Sequence, residues 1–249
     1  MPHPPPLWNS PSAAHACVDL ARLCGPVLGW SAATIGCYLA ASALYRRWPR
    51  WWLTPLAVAP TLLLLAATSL HVSYGQYLHG AGWLERLLAP ATVAFAVPIY
   101  EQRRLIQRHW LALGAAVLAG SAAAMLTSWL LASLLGLTGT LRLSLLPRSM
   151  STPFAMAVSG ELGGTPALTA VFVVLTGVLG ACLGEVMLAR LPLHGALARG
   201  AMLGMGAHGV GTARAHRYGR EEGAVAGVVL VLVGLANVLA APLIAEVLR

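Results

Sequence analysis

Apolar runs of about 20 residues recur along the chain with short polar breaks between them, which is the length a helix needs to cross a bilayer. Runs 26–44, 53–70, 109–136, 167–189 and 223–247 fit directly. Three further stretches are as apolar but interrupted. Segment 83–101 contains LLAPATVAFAVPIY, with Pro90 and Pro98, and segment 143–161 with its sequel contains LLPRSMSTPFAMAVSGELGG, with Pro147 and Pro153. Segment 195–213 carries glycines at 195, 200, 204, 206, 209 and 211. The pattern predicts an all-α polytopic membrane protein of about eight membrane segments, with proline- and glycine-broken helices among them.

A proline inside a helix removes a backbone hydrogen bond that hydrocarbon cannot replace. Broken helices at membrane depth are tolerated where they are buried in protein or line a cavity. Each proline-broken segment is followed by a long apolar helix, so repeated units of broken helix plus long helix are expected, as in secondary transporters. The 195–213 stretch followed by 223–247 reads as a third, diverged copy. If every segment crosses, the two proline-broken segments run in the same direction. Either the repeats are parallel, then, or one segment is a re-entrant hairpin.

Composition fixes the class. The chain is 58% hydrophobic and only 10% charged, with a mean hydropathy of +0.73. Soluble domains carry roughly 25% charged residues, so this chain cannot cover a water-facing surface. The net charge of +8 comes from arginine alone, without a single lysine. The arginines gather in loops (Arg46, Arg47 and Arg50; Arg103, Arg104 and Arg108; Arg214, Arg217 and Arg220), as cytoplasmic loops do. That distribution argues against nucleic acid as a partner. With full crossing, both termini lie outside, with Arg142 and Arg190. Tyr74, Tyr77 and Trp83 are expected in an interfacial aromatic belt, as are Trp48, Trp51 and Trp52 on the other side. Residues 1–16 form a proline-rich tail, expected to be disordered and uncleaved because it lacks a basic n-region. Residues 17–249 form the membrane domain. The four cysteines show no C-x-x-C spacing and read as small buried hydrophobes.

A helix restarting after a break presents free N–H groups and the positive end of its dipole, which suit carboxylates and phosphates. Thr92 follows Pro90, and Ser149, Ser151 and Thr152 follow Pro147, adding hydroxyl donors. Arg148 sits at the second break, where a charge costs roughly 2.5–3.5 kcal/mol on insertion scales unless it faces water, substrate or an acid. A snorkelling interfacial arginine is the competing reading. Glu161 before Gly163 and Gly164 is a loop carboxylate or a proton or cation site. Glu101 reads as a solvated loop charge, and Glu185 as one of few carboxylates inside an apolar span. In His208-Gly209-Val-Gly211-Thr212-Ala-Arg214, a histidine among glycines, then a hydroxyl and an arginine, suits an anion or proton site. A lone buried histidine is otherwise merely hydrogen-bonded. Gly180/Gly184, Gly200/Gly204 and Gly223/Gly227 are ordinary small-residue packing faces. No Walker loop, zinc spacing or nucleophile elbow is present, which leaves an intramembrane enzyme the weakest class.

LLAPATVAFAVPIY, LLPRSMSTPFAMAVSGELGG, LTAVFVVLTGVLGA and AHGVGTARAHRYG, in this order, resemble the LrgB/CidB family over roughly residues 26–247. The resemblance implies a multi-pass protein of the bacterial inner membrane, of the kind called antiholin-like or modulators of autolysis. Such proteins act with a small holin-like partner, LrgA or CidA. It also implies transport of short 2-oxo or 2-hydroxy carboxylates: a chloroplast relative carries glycolate and glycerate, and bacterial members are linked to pyruvate uptake. The chain departs from the family at Ala89, usually glycine, and at Arg148, usually lysine. Ala157 and Gly160 replace common acids, which leaves Glu161 as the retained carboxylate. Two functions follow: a secondary transporter of small monocarboxylates, with no cofactor beyond a coupling H+ or Na+, or a non-transporting regulator of murein hydrolases. The glycine faces are compatible with a homodimer.

Overall fold

The computed structural model describes residues 12–48 and 53–248, which are helical and carry no strand. Arg50, Trp51, Trp52 and the first eleven residues of the expected tail lie outside the described residues. Helix α1 (Ser12–Arg47) already begins within the stretch read as tail. The chain divides into two compact units, one ending at Leu87 and one beginning at Leu88.

The first unit holds α1, α2 (Pro55–Ser69) and α3 (Tyr74–Arg86). Pro55 opens α2, where its missing N–H is one of the helix's free donors anyway. A capping box starts α3: the Ser73 hydroxyl accepts from the Gln76 N–H, and the Gln76 side chain accepts from the Ser73 N–H. A polar seam ties α3 to α1. Ser31 donates to the Gly80 carbonyl at 2.9 Å, and the Trp83 indole N–H donates to Ser31 at 2.7 Å. Thr34 meets the Tyr77 hydroxyl at 3.1 Å, and Trp30 packs edge-on against Tyr77. Two of the expected belt aromatics therefore join helices.

The second unit begins with three short helices, α4 (Leu88–Ala94), α5 (Ala96–Glu101) and α6 (Arg103–Arg108). Pro90 and Pro98 are each third in their helices, so they stand in first turns and break nothing; the kinks fall at Phe95 and Gln102. Then follow α7 (Trp110–Leu134), α8 (Gly139–Leu145), a 3₁₀ turn (Leu146–Ser149), α9 (Thr152–Glu161), α10 (Pro166–Arg190), α11 (Ala196–Tyr218) and α12 (Arg220–Leu248). Three of these, α7, α10 and α12, are long and apolar enough to cross a membrane. The core gathers on α12, whose Val225, Val228, Val229, Val231 and Val233 are buried against Leu113, Leu146, Phe154 and Val158.

Segments 143–161 and 195–213 do not run straight through; each doubles back. The arms α8 and α9 meet again at their open end. There Thr169 of α10 contacts both the Ser144 carbonyl (2.9 Å) and the Ser159 hydroxyl (2.7 Å). Gly163, at φ +80°, makes the left-handed exit from α9. A side chain on Gly164 would strike Ser144 and Ser159. In α11 the reversal falls on one residue, His208, at φ 37°, ψ −118°. Arms 196–207 and 209–218 then lie so close that a Cβ on Gly211 would overlap the Leu203 carbonyl. Both arms pack on the first turns of α12, Gly200 against Val225 and His216 against Gly223.

Helix α10 runs alongside both reversals. Thr169 touches the open end of the first hairpin, Gly177 the tip of the second at His208, and Glu185 the returning arm of the second at Arg214. At 1.5 Å per residue these three levels are roughly 12 Å apart. The two open ends thus face opposite ways, about 24 Å apart along α10.

Candidate functional site

The tips of the two hairpins meet. Ser149, at the turn between α8 and α9, donates to the Met205 carbonyl one turn before His208, at 3.3 Å. Glycine makes this contact possible. A Cβ on Gly177 would stand 2.7 Å from the His208 ring, one on Gly180 would overlap the Gly206 carbonyl, and one on Gly184 would press on Leu203 at 2.9 Å. The Gly180/Gly184 face thus packs helices, as expected, but it packs α10 onto the hairpin that carries His208.

Two polar atoms at these tips have no hydrogen-bond partner among the described residues: Ser151 Oγ and His208 Nε2. Both residues are more than nine-tenths buried, at 7% and 4% exposure. Leaving a buried polar atom unsatisfied costs about 1–3 kcal/mol, so two at one junction need an account. Ser151 is the N-cap of α9, and its hydroxyl caps nothing. Beside it stand the N–H groups of Thr152 and Phe154 in that first turn, where Pro153 supplies none, and the positive end of the helix dipole, the kind of donors that suit an anion.

Arg148 is half-buried beside these donors. Its Nε donates to Ser128 of α7 at 2.8 Å, and no carboxylate pairs with it among the described residues. The guanidinium therefore keeps most of its donors uncommitted. A small cavity adjoins the junction. It is lined by Ser121, Leu146, Ser149, Met150, Met205 and Asn237, and has about 10 Å³ of room, enough for one water-sized occupant. Asn237 of α12 donates to Ser121 of α7 at 2.8 Å there.

The other expected site residues fall elsewhere. Thr92 back-bonds to Leu88 within α4, and Pro90 is exposed; the first broken segment reaches α9 through Phe95, stacked on Phe154 at 5.6 Å. Glu161, Gly163 and Gly164 lie at the open end of the first hairpin, where Ser144, Ser159 and Thr169 form a fully buried hydroxyl knot. Arg214 is ion-paired with Glu185, so it is a latch between α10 and α11 and its charge is already matched. Gly211 lets the arms of the reversal close on Leu203, a side chain at Gly209 would meet open space, and Thr212 donates to the His208 carbonyl at 3.0 Å. Thr212 also lines a cleft of about 520 Å³ with Glu101, Gln102, His216, Arg220 and Glu221. Sequence reasoning missed Ser121, Ser128 and Asn237. Their signal was there: isolated polar side chains in otherwise apolar helices, which usually bond across a helix interface.

A chain whose described residues are helical, with three bilayer-length apolar helices among them and two polar helix reversals that meet, is a membrane protein. A family model for the LrgB-like family matches residues 34–247, and the chain belongs to that family. Among its relatives is the uncharacterized protein YwbG of Bacillus subtilis, 38% identical over 84% of this chain and 93% of its own length. The antiholin-like protein LrgB of the same organism is 31% identical over 78% of this chain and 84% of its own. The holin-like protein CidB of Staphylococcus aureus is 28% identical, over 85% and 92%. No solved structure matches the chain.

Proposed function

We propose that this protein is a multi-pass secondary transporter of small monocarboxylates in the bacterial inner membrane, taking 2-oxo or 2-hydroxy acids such as pyruvate, lactate, glycolate or glycerate. The observation that carries the reading is the meeting of two helix reversals with an uncommitted hydroxyl (Ser151), an uncommitted imidazole (His208) and an arginine without an acidic partner (Arg148). A scaffold that needed only apolar packing would gain nothing from these groups. A 2-hydroxy acid matches them in kind: its carboxylate suits the α9 N-terminus and Arg148, and its second oxygen suits a ring N–H.

In this reading the hairpins α8–α9 and α11 are re-entrant, entering from opposite faces, and each is followed by one spanning helix, α10 or α12. That gives an inverted repeat, with the site at the repeat interface near the midplane. The end bearing Arg190, Arg217, Arg220 and the Glu101–Thr212 cleft is cytoplasmic by its arginine content. Arg190, expected outside under full crossing, joins the cytoplasmic set. The cleft is the way in from that side, and the tip cavity in its present form is too small for substrate, so transport requires the tips to part.

The second reading is a regulator of murein hydrolases working with a small LrgA/CidA-type membrane partner. It is favoured by the names of the relatives, antiholin-like and holin-like. Purified protein in liposomes, offered labelled pyruvate, lactate or glycolate, separates the two. Saturable uptake above empty liposomes is expected. Its absence for every acid, under inward proton and sodium gradients alike, overturns the transporter and leaves the regulator.

A further inference from the structure

Along one face of α12 the cleft, an aromatic ring and the hairpin tips follow one another. Gly227 lines the cleft, and Gly234 lies against the ring of Phe154. Seven residues are close to two helical turns, so these glycines share a face about 10 Å apart. Asn237, nearly one turn further, lines the cavity at the tips. A Cβ on Gly234 would overlap the Phe154 ring, so bare backbone is what seats that ring on α12. Phe154 is only 5% exposed, and Phe95 stacks on it at 5.6 Å. Ser151, with its uncommitted hydroxyl, is three residues before Phe154 at the start of α9. Pro98, one turn after Phe95, belongs to the cleft. The ring pair therefore stands between the cleft and Ser151.

Phe95 is held by a joint, not by a helix interior. It lies between α4 and α5, and its N–H reaches the Thr92 carbonyl at 3.2 Å. Pro98 has no N–H to bond back across that joint to Ala94. The six residues of α5 end in a second joint at Gln102, with φ −96° and ψ 16°. Between the joints, Pro98 and Glu101 form part of the cleft wall. A short segment hinged at both ends, with a cleft on one side and a ring at its inner end, is built as a flap. Phe95 is itself only partly buried, so it is the ring of the pair that can swing away.

We propose that α5 is the cytoplasmic gate of the carboxylate path and that Phe95, closing on Phe154, sets the size of the acid admitted. An acid with its carboxylate at Ser151 lies beside Phe154, and its substituent meets the ring pair. The inference rests on the transport reading for its role, but closure itself is testable without transport.

With the native cysteines replaced, Ser151→Cys and Thr212→Cys are made singly in full-length protein, each with and without Phe95→Ala. A charged, impermeant thiol reagent is then added to inside-out vesicles. Ser151→Cys should react slowly beside the native phenylalanine and roughly tenfold faster in Phe95→Ala, as an opening equilibrium freed of one ring pair allows. Thr212→Cys, already at the cleft, should react at one rate in both. Equal rates at Ser151→Cys overturn the gate, and so does a parallel rise at Thr212→Cys, which marks general loosening. Where Phe95→Ala fails to insert, Phe95→Leu takes its place with the same outcomes. In liposomes, Phe95→Ala should carry phenylpyruvate, which the wild type excludes, while both carry pyruvate. Unchanged selectivity overturns the size-setting role of Phe95. If neither protein carries any acid, the transport reading fails, and the labelling rates still decide whether α5 closes on Phe154.

Discussion

Ser149 donates its hydroxyl hydrogen to the Met205 carbonyl across 3.3 Å, and through that bond the tips of two oppositely facing hairpins touch. Each tip brings one buried polar atom that nothing in the fold satisfies, Ser151 Oγ on one side and His208 Nε2 on the other. Helix α10 sets the spacing, with Gly177 beside His208 midway between Thr169 and Glu185. The two open ends are about 24 Å apart along it, within a hydrocarbon core of roughly 30 Å.

The glycine contacts of α10 predict a stability cost that is independent of function. Gly180→Ala puts a methyl group into the Gly206 carbonyl, and a backbone atom cannot step aside as a side chain can. Overpacking of this kind costs about 1–3 kcal/mol. Gly160→Ala, with open space around it, serves as the control. Thermal unfolding in detergent should show a clearly lowered midpoint for the first and little change for the second. Equal midpoints would remove the close approach of α10 to the hairpin.

His208 has the backbone geometry of a glycine. In an ordinary helix, glycine is less stable than alanine by about 1 kcal/mol. Here the order should invert, because strain at such a residue is of order 1–3 kcal/mol and only glycine relieves it. His208→Gly should therefore unfold at a higher temperature than His208→Ala, with both losing uptake because both lose the imidazole. The ordinary order, alanine above glycine, would mean that α11 runs on as a helix through residue 208.

The sequence made the class legible and hid the direction of the chain. Apolar runs mark α7, α10 and α12 without help from structure, and Pro147 and the glycines around His208 mark where helices stop being straight. Pro90 and Pro98 carry the same mark for a different reason, since they merely open short helices; sequence cannot separate a first-turn proline from one in a helix interior. What no local pattern encodes is that the chain turns back, because the proof lies in long-range pairs such as Ser144 with Thr169 and Leu203 with Gly211. Arg214 misled for a related reason. Its partner Glu185 is 29 residues away in sequence and comes to hand only through the reversal.

That reversal has a topological consequence. With native cysteines removed, single cysteines at His194 and Tyr218 should be labelled by an impermeant reagent from the same face of the membrane, and cysteines at Leu135 and Glu161 from the opposite one. All four native side chains are exposed, so the substitutions carry little structural penalty. A crossing α11 would place His194 and Tyr218 on different faces. Opposite labelling of that pair would break the inverted repeat and, with it, the midplane location of the site.

Arg148 gives the sharpest test of the carboxylate assignment. Its Nε is held by Ser128, while the remaining guanidinium hydrogens point to no acid in the described chain. Charge-assisted hydrogen bonds contribute roughly 1.5–3 kcal/mol each, or about one to two decades of affinity. Arg148→Ala should therefore raise the half-saturating concentration for uptake by at least about tenfold, with protein still inserted at normal levels. Arg148→Lys should fall between, because it keeps the charge but loses the fork. Ser128→Ala removes the bond that aims the guanidinium and should show a smaller loss in the same direction, since the charge stays and only its orientation is freed. A snorkelling arginine would give the opposite picture, near-normal uptake in all three variants at equal protein in the membrane. That result would remove Arg148 from the site and leave the α9 N-terminus and His208 to bind the anion alone.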